Sequence, residues 1–501
     1  MTWIPLGSHP RFACVNADPT GFTLFWQPRS RKPRMTSISG KTSTDWAAFA
    51  AALAPIEVID EPVLVKKRSR DFFWYSPILD RRLKACFGDL VARPKSPAEM
   101  AKCLSLSALH RVPVTLRGGG TGNYGQSVPT EGGLIIDTTA MGEILEIGED
   151  FVRVQAGCNI LKLNDALREH GRELPVFPST QDIATIGGFI SGGSAGIGTV
   201  SHGMLRDSGN ILELRVLSAE QTPREVVFSG DQINMIHHAW GINGVITELK
   251  LRTVPTEDWI GCIATFDSYP ACYSAGMALA ASDIRRKLCS TLDARIGSYF
   301  ERLKGIVPEG RAMLVTLVPR GQMEDFRALI AAQGGQIDLA MDESQRLALR
   351  LPHAFEFSYN HTTLQALKTD RKVTYLQILC PAPLNVEKII ELQAVLGDDV
   401  FMHHEFSRMG GQRVAFDLPL VRYTTDERLF EIMSTYEAHG CPASDPHSCI
   451  IEEGGMKKAD YRHLAWKKRM DPFGILNSQK TREWPRVRDM TPEAIEALHQ
   501  T

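Results

Sequence analysis

The sequence predicts an α+β fold with more than one domain. Three observations carry this: a length of 501 residues, short apolar strands alternating with amphipathic helices from about 46 to 256, and a changed pattern of strands and helices from about 257 to 455. A chain of this length divides into two or three domains. Its 43% hydrophobic and 23% charged residues are those of an ordinary soluble globular protein. A formal net charge of −2 leaves no footprint for nucleic acid or an anionic membrane. The ten cysteines (14, 86, 103, 158, 262, 272, 289, 380, 441, 449) include no C-x-x-C pair, so they read as reduced, mostly buried thiols in a cytoplasmic setting. No apolar run approaches the ~20 residues of a transmembrane helix, and no segment has the basic-then-apolar plan of a signal peptide.

Residues 1–45 read as a disordered extension. The first 34 hold five prolines and five basic residues against one acid, Asp18, which also fits translation from upstream of a natural start at Met35. The prolines prevent the amphipathic helix of a transit peptide. Further on, Ser96-Pro97-Ala98-Glu99 is a capping box that opens a helix through Met100, Leu104 and Leu109. Asn159 caps a second helix with an apolar face of Ile160, Leu163 and Leu167, ending at Gly171. In the later region, 313–317 and 373–379 are strand-like and 386–396 is helical. There is no internal repeat and no low-complexity tract.

Two glycine runs stand out: Arg117-Gly118-Gly119-Gly120-Thr121-Gly122, and Thr185-Ile186-Gly187-Gly188. Glycines admit positive φ and let main-chain N–H groups approach phosphate oxygens, so two such runs suggest a split cradle for the pyrophosphate of a dinucleotide. Gly120 to Gly125 also fits G-x-G-x-x-G after a strand-like segment, 112–116. A Rossmann fingerprint must then open a helix. The next residues are instead Gln126-Ser127-Val128-Pro129-Thr130-Glu131-Gly132-Gly133, whose proline and paired glycines prevent one. A standard NAD site is therefore not expected. Seven glycines in the seventeen residues 187–203 read as loops around a ligand rather than a packed element.

Together with their surroundings these runs resemble the FAD-binding domain of the vanillyl-alcohol oxidase family, the PCMH-type flavoprotein fold. The resemblance covers 83–255 in the family's order: Asp89-Leu90-Val91-Ala92-Arg93-Pro94 and a helix, the Arg-Gly-Gly-Gly-Thr loop, the strand 133–137, then Val152-Arg153-Val154-Gln155-Ala156-Gly157 before a second helix. Pro178-Ser179, Ala184-Thr185-Ile186-Gly187-Gly188, Arg206-Asp207 and Gly244-Val245-Ile246-Thr247 complete it. The ending Asp471-Pro472-Phe473-Gly474-Ile475-Leu476-Asn477 resembles the D-lactate and glycolate dehydrogenase branch, which continues Pro-Gly-Lys where this chain reads Ser478-Gln479-Lys480. The resemblance implies a two-subdomain FAD-binding domain over 46–256, an α+β cap or substrate domain over 257–455, and a C-terminal segment, 456–501, returning to the first.

It further implies FAD contacts at Arg117, Gly118, Gly119, Gly120, Thr121, Gly122, Asn123 and Gln126, then Pro178, Ser179, Thr185, Ile186, Gly187, Gly188, Gly192, Gly193 and Gly196, and finally Val245 and Ile246. Amides at a helix start near Thr185 would favour an anion by about 0.3–1 kcal/mol. Members that bond FAD covalently have histidine where this chain has Thr121, and doubly linked ones add a cysteine near Thr185, so non-covalent FAD is expected.

The resemblance implies a cap that supplies histidines, and an acid from a segment like Ile450-Ile451-Glu452-Glu453-Gly454. The candidates are His361, His404, His447, Glu452, and Arg408 (with Arg413) as the cation for a carboxylate. An imidazole titrates in the range of a base for a hydroxyl proton. A divalent metal would lower an alcohol's pKa, but the branch's H-x-G-D-G-N-x-H motif is absent, which leaves the metal open. His202, His237 and His238 read as loop or packing residues. The run Asp71-Phe72-Phe73-Trp74-Tyr75 is aromatic enough for a substrate mouth, with core packing the default. The expected activity is oxidation of a small hydroxylated substrate, foremost a 2-hydroxy acid, by hydride transfer to flavin N5, with oxygen, a quinone or a carrier protein as acceptor. Alternatives are a non-redox transferase of the alkyl-glycerone-phosphate synthase type, an NADPH-dependent reductase, or a flavin-binding protein without catalysis. The sequence also leaves room for a homodimer.

Overall fold

Three principal sheets organise the computed structural model, which describes residues 44–193, 195–454 and 459–500. The first orders its strands Glu57–Ile59, Leu90–Arg93, Leu134–Asp137 and Val114–Arg117. Its last three run parallel, as crossover connections require. The second is antiparallel, in the order Ile144–Ile147, Phe151–Gln155, Val245–Arg252, Ile211–Leu217, Glu225–Ser229. The third has eight antiparallel strands, from Gln336–Met341 at one edge through Trp259–Phe266, Ala312–Pro319, Leu288–Leu292, His403–Met409, Gln412–Asp417 and Gln377–Cys380 to Ala443–Ser444. Helices Tyr269–Ala281, Met323–Ala332, Val386–Leu396 and Asp426–Ala438 pack on one face of this sheet. This is a mixed α+β fold. Residues 1–43 of the expected N-terminal extension lie outside the described residues.

The capping signals act as expected. Ser96 accepts from the Glu99 amide, and the Glu99 carboxylate reaches back to the Lys95 amide, opening Pro97–His110. Its buried face is Met100, Cys103, Leu104, Ser107 and Ala108, and Leu109 is exposed. The helix runs through Leu109 as expected, and that residue is exposed because position 109 falls one residue off the i, i+4, i+8 stripe. Asn159 caps Ile160–Glu169, whose Ile160, Leu163 and Leu167 are buried. The stretch 373–379 is two strands rather than one. Val373–Tyr375 pairs with Leu420–Arg422, and Gln377–Cys380 enters the eight-stranded sheet.

The chain end adds to the first sheet. Val114 exchanges main-chain bonds with Ile475 (2.8 Å) and Asn477 (2.9 Å). The turn is fixed by Asp471, which accepts from the Ile475 and Leu476 amides and from the buried Lys467 ammonium at 2.7 Å. Nine cysteines lie among the described residues and all are free. No helix among the described residues is long and apolar enough to cross a membrane.

Candidate active site

A cavity of about 550 Å³ lies between the two glycine loops on one side and the eight-stranded sheet on the other. Strand Val114–Arg117 delivers the first loop, and Arg117 anchors it by donating to the Arg70 carbonyl. Burial lowers the Arg117 pKa, and Asp137 and Asp71 oppose that shift. The second loop follows Thr185, whose hydroxyl accepts from the Gly188 amide and opens the short helix Ile186–Gly192. That helix corrects the reading of 187–203 as loop alone. The two loops touch so closely that side chains are excluded. A Cβ on Gly118 would lie 2.0 Å from Thr185 Oγ1, and one on Gly119 would lie 2.1 Å from the Ile183 carbonyl oxygen. Gly120 has φ +67°, where a side chain is strained.

Every residue assigned to FAD from the sequence lines this cavity except Ile186. The Ile186 side chain is buried in the core beneath the second loop and so corrects that assignment. The cavity fits an extended dinucleotide in chemistry as well as in room. Buried polar atoms of five lining residues have no partner within the protein: Arg117 Nε, His238 Nδ1, Trp240 Nε1, Asn243 Oδ1 and Asn360 Oδ1. The close packing of the two loops without Cβ atoms keeps main-chain groups of Gly118 to Gly122 at the cavity, as a phosphate-bearing ligand needs.

The five expected catalytic residues do not converge. His361 lines the cavity, and burial pushes its imidazole pKa down to about 4. It sits beside Tyr359, whose hydroxyl donates to the Gly196 carbonyl at 2.6 Å and whose amide donates to the buried Glu405 at 2.7 Å. His404 faces the other way. Side chains alternate along a strand, and in His403–Met409 the odd positions face this side: Ser407 meets Thr199 and Met409 lines the cavity. His404 and Phe406 therefore enter the helix layer, where the Tyr269 hydroxyl lies 2.6 Å from His404 Nδ1 and Cys380 Sγ lies 3.5 Å from Nε2. Burial holds its pKa at about 3.

His447 is buried with both ring nitrogens used, Nδ1 by the Ser76 hydroxyl (2.7 Å) and Nε2 by the Tyr375 carbonyl (3.0 Å). The Tyr375 carbonyl requires a proton on Nε2, and burial lowers the pKa to about 4, which leaves the imidazole neutral at pH 7. Glu452 accepts from the Thr481 hydroxyl and the Arg482 and Glu483 amides, fastening the C-terminal segment. Arg408 is exposed opposite Arg413 on the neighbouring strand. For these four the catalytic assignment is corrected to core or surface roles. Among the described residues, no three His, Cys, Asp or Glu side chains could hold a metal ion together.

Several lining residues escaped the sequence reading. Tyr124 bridges to Gln377 across the cavity through its hydroxyl. It stands inside the G-x-G-x-x-G match, so its position was a usable signal. In the aromatic run 71–75, which the sequence offered as a substrate mouth with core packing the default, Phe72 and Tyr75 line the cavity while Phe73 is core. His238 lines the cavity with Trp240 and Asn243, immediately before the Gly244-Val245-Ile246 motif.

Comparison with known proteins agrees with this geometry. Residues 88–226 match the family described as FAD binding domain. They are an FAD-binding domain of the PCMH type. The chain is 32% identical over 179 residues to glycolate oxidase subunit GlcD of Bacillus subtilis, covering 33% of this chain and 37% of that protein. It is 29% identical over 174 residues to a D-lactate dehydrogenase of Archaeoglobus fulgidus, covering 33% and 39%. The chain thus matches well under half the length of these relatives. In fold it resembles a solved structure of alkyldihydroxyacetonephosphate synthase, with a TM-score of 0.66 and 14% identity over 87% of this chain and 85% of that one.

Proposed function

We propose that this chain is an FAD-dependent oxidoreductase that oxidises a small hydroxylated substrate, with FAD held non-covalently. In this reading 46–256 hold the cofactor, 257–455 form the cap, and 456–501 return to the first region. The observation that carries it is the glycine-walled cavity with His361 on its opposite side. When bound, FAD supplies a two-electron acceptor that takes hydride at N5. The chain's own residues do the rest. Amides of Gly118 to Gly122 bind phosphate oxygens, while the Gly187 and Gly188 amides, which donate to the Ala156 carbonyl and the Thr185 hydroxyl, fix the second loop. His361, neutral at pH 7, has a lone pair for the substrate's hydroxyl proton. Asn360 Oδ1, buried beside it without a partner, orients the hydroxyl. The Tyr124–Gln377 bridge closes the cavity against water.

The names of the matched relatives support a 2-hydroxy acid as substrate. A second reading, a transferase without net redox change, is supported by the likeness of fold to alkyldihydroxyacetonephosphate synthase. The test is the visible spectrum of the purified protein, recorded anaerobically with D- and L-2-hydroxy acids and uncharged alcohols. Bleaching of a flavin band by one of them is the expected result. A flavin spectrum that no hydroxylated donor changes would sink the oxidoreductase reading and favour the transferase.

A further inference from the structure

The wall opposite the glycine loops is apolar where a carboxylate would need a cation. Strands His403–Met409, Gln412–Asp417 and Gln377–Cys380 lie side by side in it, with Ala443–Ser444 at the sheet's edge. Alternation sorts their side chains. Ile378, Cys380 and Ala415 pack into the helix layer, and Asp417 meets Tyr436 there. Leu379, Phe416 and Met409 fall on the other face and line the cavity. Leu379 is paired with Phe416, and its amide donates to the Pro442 carbonyl at 2.8 Å, so Pro442, Leu379 and Phe416 form one row. These side chains are within a ligand's reach: Leu379 and Phe416 are half-buried and Pro442 is exposed. Apolar surface left open inside a cavity favours an apolar ligand group. The row also adjoins His361. Phe416 is paired with Glu405, whose carboxylate accepts from the Tyr359 amide two residues before that histidine.

The charges lie elsewhere. Among the described residues that line the cavity, none is acidic, and the cations are Arg117 and Arg206. Neither is on the sheet. Arg117 lies under the first loop, where a Cβ on Gly120 would strike its guanidinium, and it donates to the Arg70 carbonyl. Arg206 stands by His237, His238 and His463, whose imidazoles its charge helps to hold neutral. Arg408 and Arg413, the cations expected from the sequence, are exposed and fall on the far face of their strands by the same alternation. His361 is neutral at pH 7. A carboxylate seated on this wall would lose water without gaining a counter-charge, a cost that an uncharged group does not carry.

We propose that the donor is an uncharged alcohol with an aromatic or branched aliphatic body, which lies on Pro442, Leu379 and Phe416 while its hydroxyl meets His361. This rests on the oxidoreductase reading and narrows its substrate class away from the free 2-hydroxy acids that the relatives' names support. The alcohol gives the hydrogen of its carbinol carbon, as hydride, to the flavin and its hydroxyl proton to His361, and leaves as the ketone or aldehyde.

The experiment compares hydroxy acids with their own methyl esters, which keep the carbinol centre and remove the charge. Anaerobic flavin reduction is followed in the full-length holoenzyme with D- and L-mandelate, D- and L-lactate and the methyl ester of each. The second-order rate constant for methyl mandelate should exceed that for mandelate on the order of a hundredfold, and that for methyl lactate by roughly tenfold, because the ring adds apolar contact. Binding gives a readout without turnover: the thermal midpoint should rise with methyl benzoylformate, the product ester, and not with benzoylformate. Leu379→Lys, at wild-type flavin content, should narrow the gap between ester and acid by about tenfold, because it sets a cation on the wall. Acids that reduce the flavin as fast as their esters overturn the proposal and leave the oxidoreductase reading standing. A gap that Leu379→Lys leaves unchanged at full flavin content also overturns it, because the carboxyl then meets another part of the cavity. A flavin that no acid, ester or uncharged alcohol reduces removes the oxidoreductase reading, and the substrate class with it.

Discussion

In the cradle, the groups that the first loop, 117–122, brings to the cavity are main-chain amides kept accessible by glycines, and the second loop, 185–193, packs against it with its first amides bonded within the protein. In the opposite wall of 359–361, 377–379 and 442–444, the groups at the cavity are side chains carried on strands and at a helix start. The difference governs how each wall fails. The cradle excludes a Cβ where the neighbour is main chain and cannot yield, the Ile183 carbonyl for Gly119 and the Ala156 carbonyl for Gly187, whereas Gly192 has open space around it. A wall of side chains tolerates substitution unless the one reacting group is removed. Substitutions in the two walls should therefore separate cofactor content from turnover.

The largest effect is expected in the cradle. Gly119→Val should reduce FAD affinity by ~10² or more, because loop separation and amide access fail together; flavin absorbance per mole of protein checks this. Full flavin content in that variant would mean the loops open more easily than their packing implies.

In the opposite wall, His361→Ala should retain flavin and thermal midpoint and lose ~10²-fold in turnover, the usual scale of a removed general base. Anaerobic single-turnover flavin reduction separates that loss from any change in reoxidation.

His404 sharpens the contrast. His404→Ala should destabilise the protein by about 2–4 kcal/mol through the cavity left and the loss of the short Tyr269 hydrogen bond, with turnover per bound flavin unchanged. Urea unfolding and a flavin-normalised rate test the two halves, and a ~10²-fold rate loss with normal stability would restore His404 as a catalytic candidate.

The smallest effect is on pH. The His447 pKa is about 4 when folded against 6.5 unfolded, so the folded state binds fewer protons between those values. Its contribution is complete above pH 6.5 and falls as pH drops toward 4, by about 1.4 kcal/mol per pH unit at most. Asp417 and Asp71 run the other way. Burial raises them to about 7 and about 6 from 3.8, so the folded state binds more protons and gains stability as pH falls through that window. His447→Gln should flatten the acid limb of the urea midpoint between pH 6.5 and 4.5. An unchanged slope would mean the imidazole is not held neutral.

The chain's own order determined much of the cradle. Glycine runs, caps such as Ser96 and Asn159, and the Asp471 turn act over a few residues, through φ preferences and local hydrogen bonds that sequence states directly. These local rules also rejected the Rossmann reading, because Pro129 and Gly132-Gly133 bar the helix it needs. The opposite wall could not be read the same way. His403 and His404 are adjacent in sequence and necessarily on opposite faces of one strand, so the pair could not act together, and which member faced the cavity awaited the register with Leu288–Leu292 and Gln412–Asp417. His447 was claimed by Ser76, 371 positions away in the chain. Trp240 and His238 gained their place only when the second glycine loop fixed their amides. Backbone chemistry is local and legible in sequence; the direction of a side chain is a property of the packed sheet, and only the tertiary structure decided it.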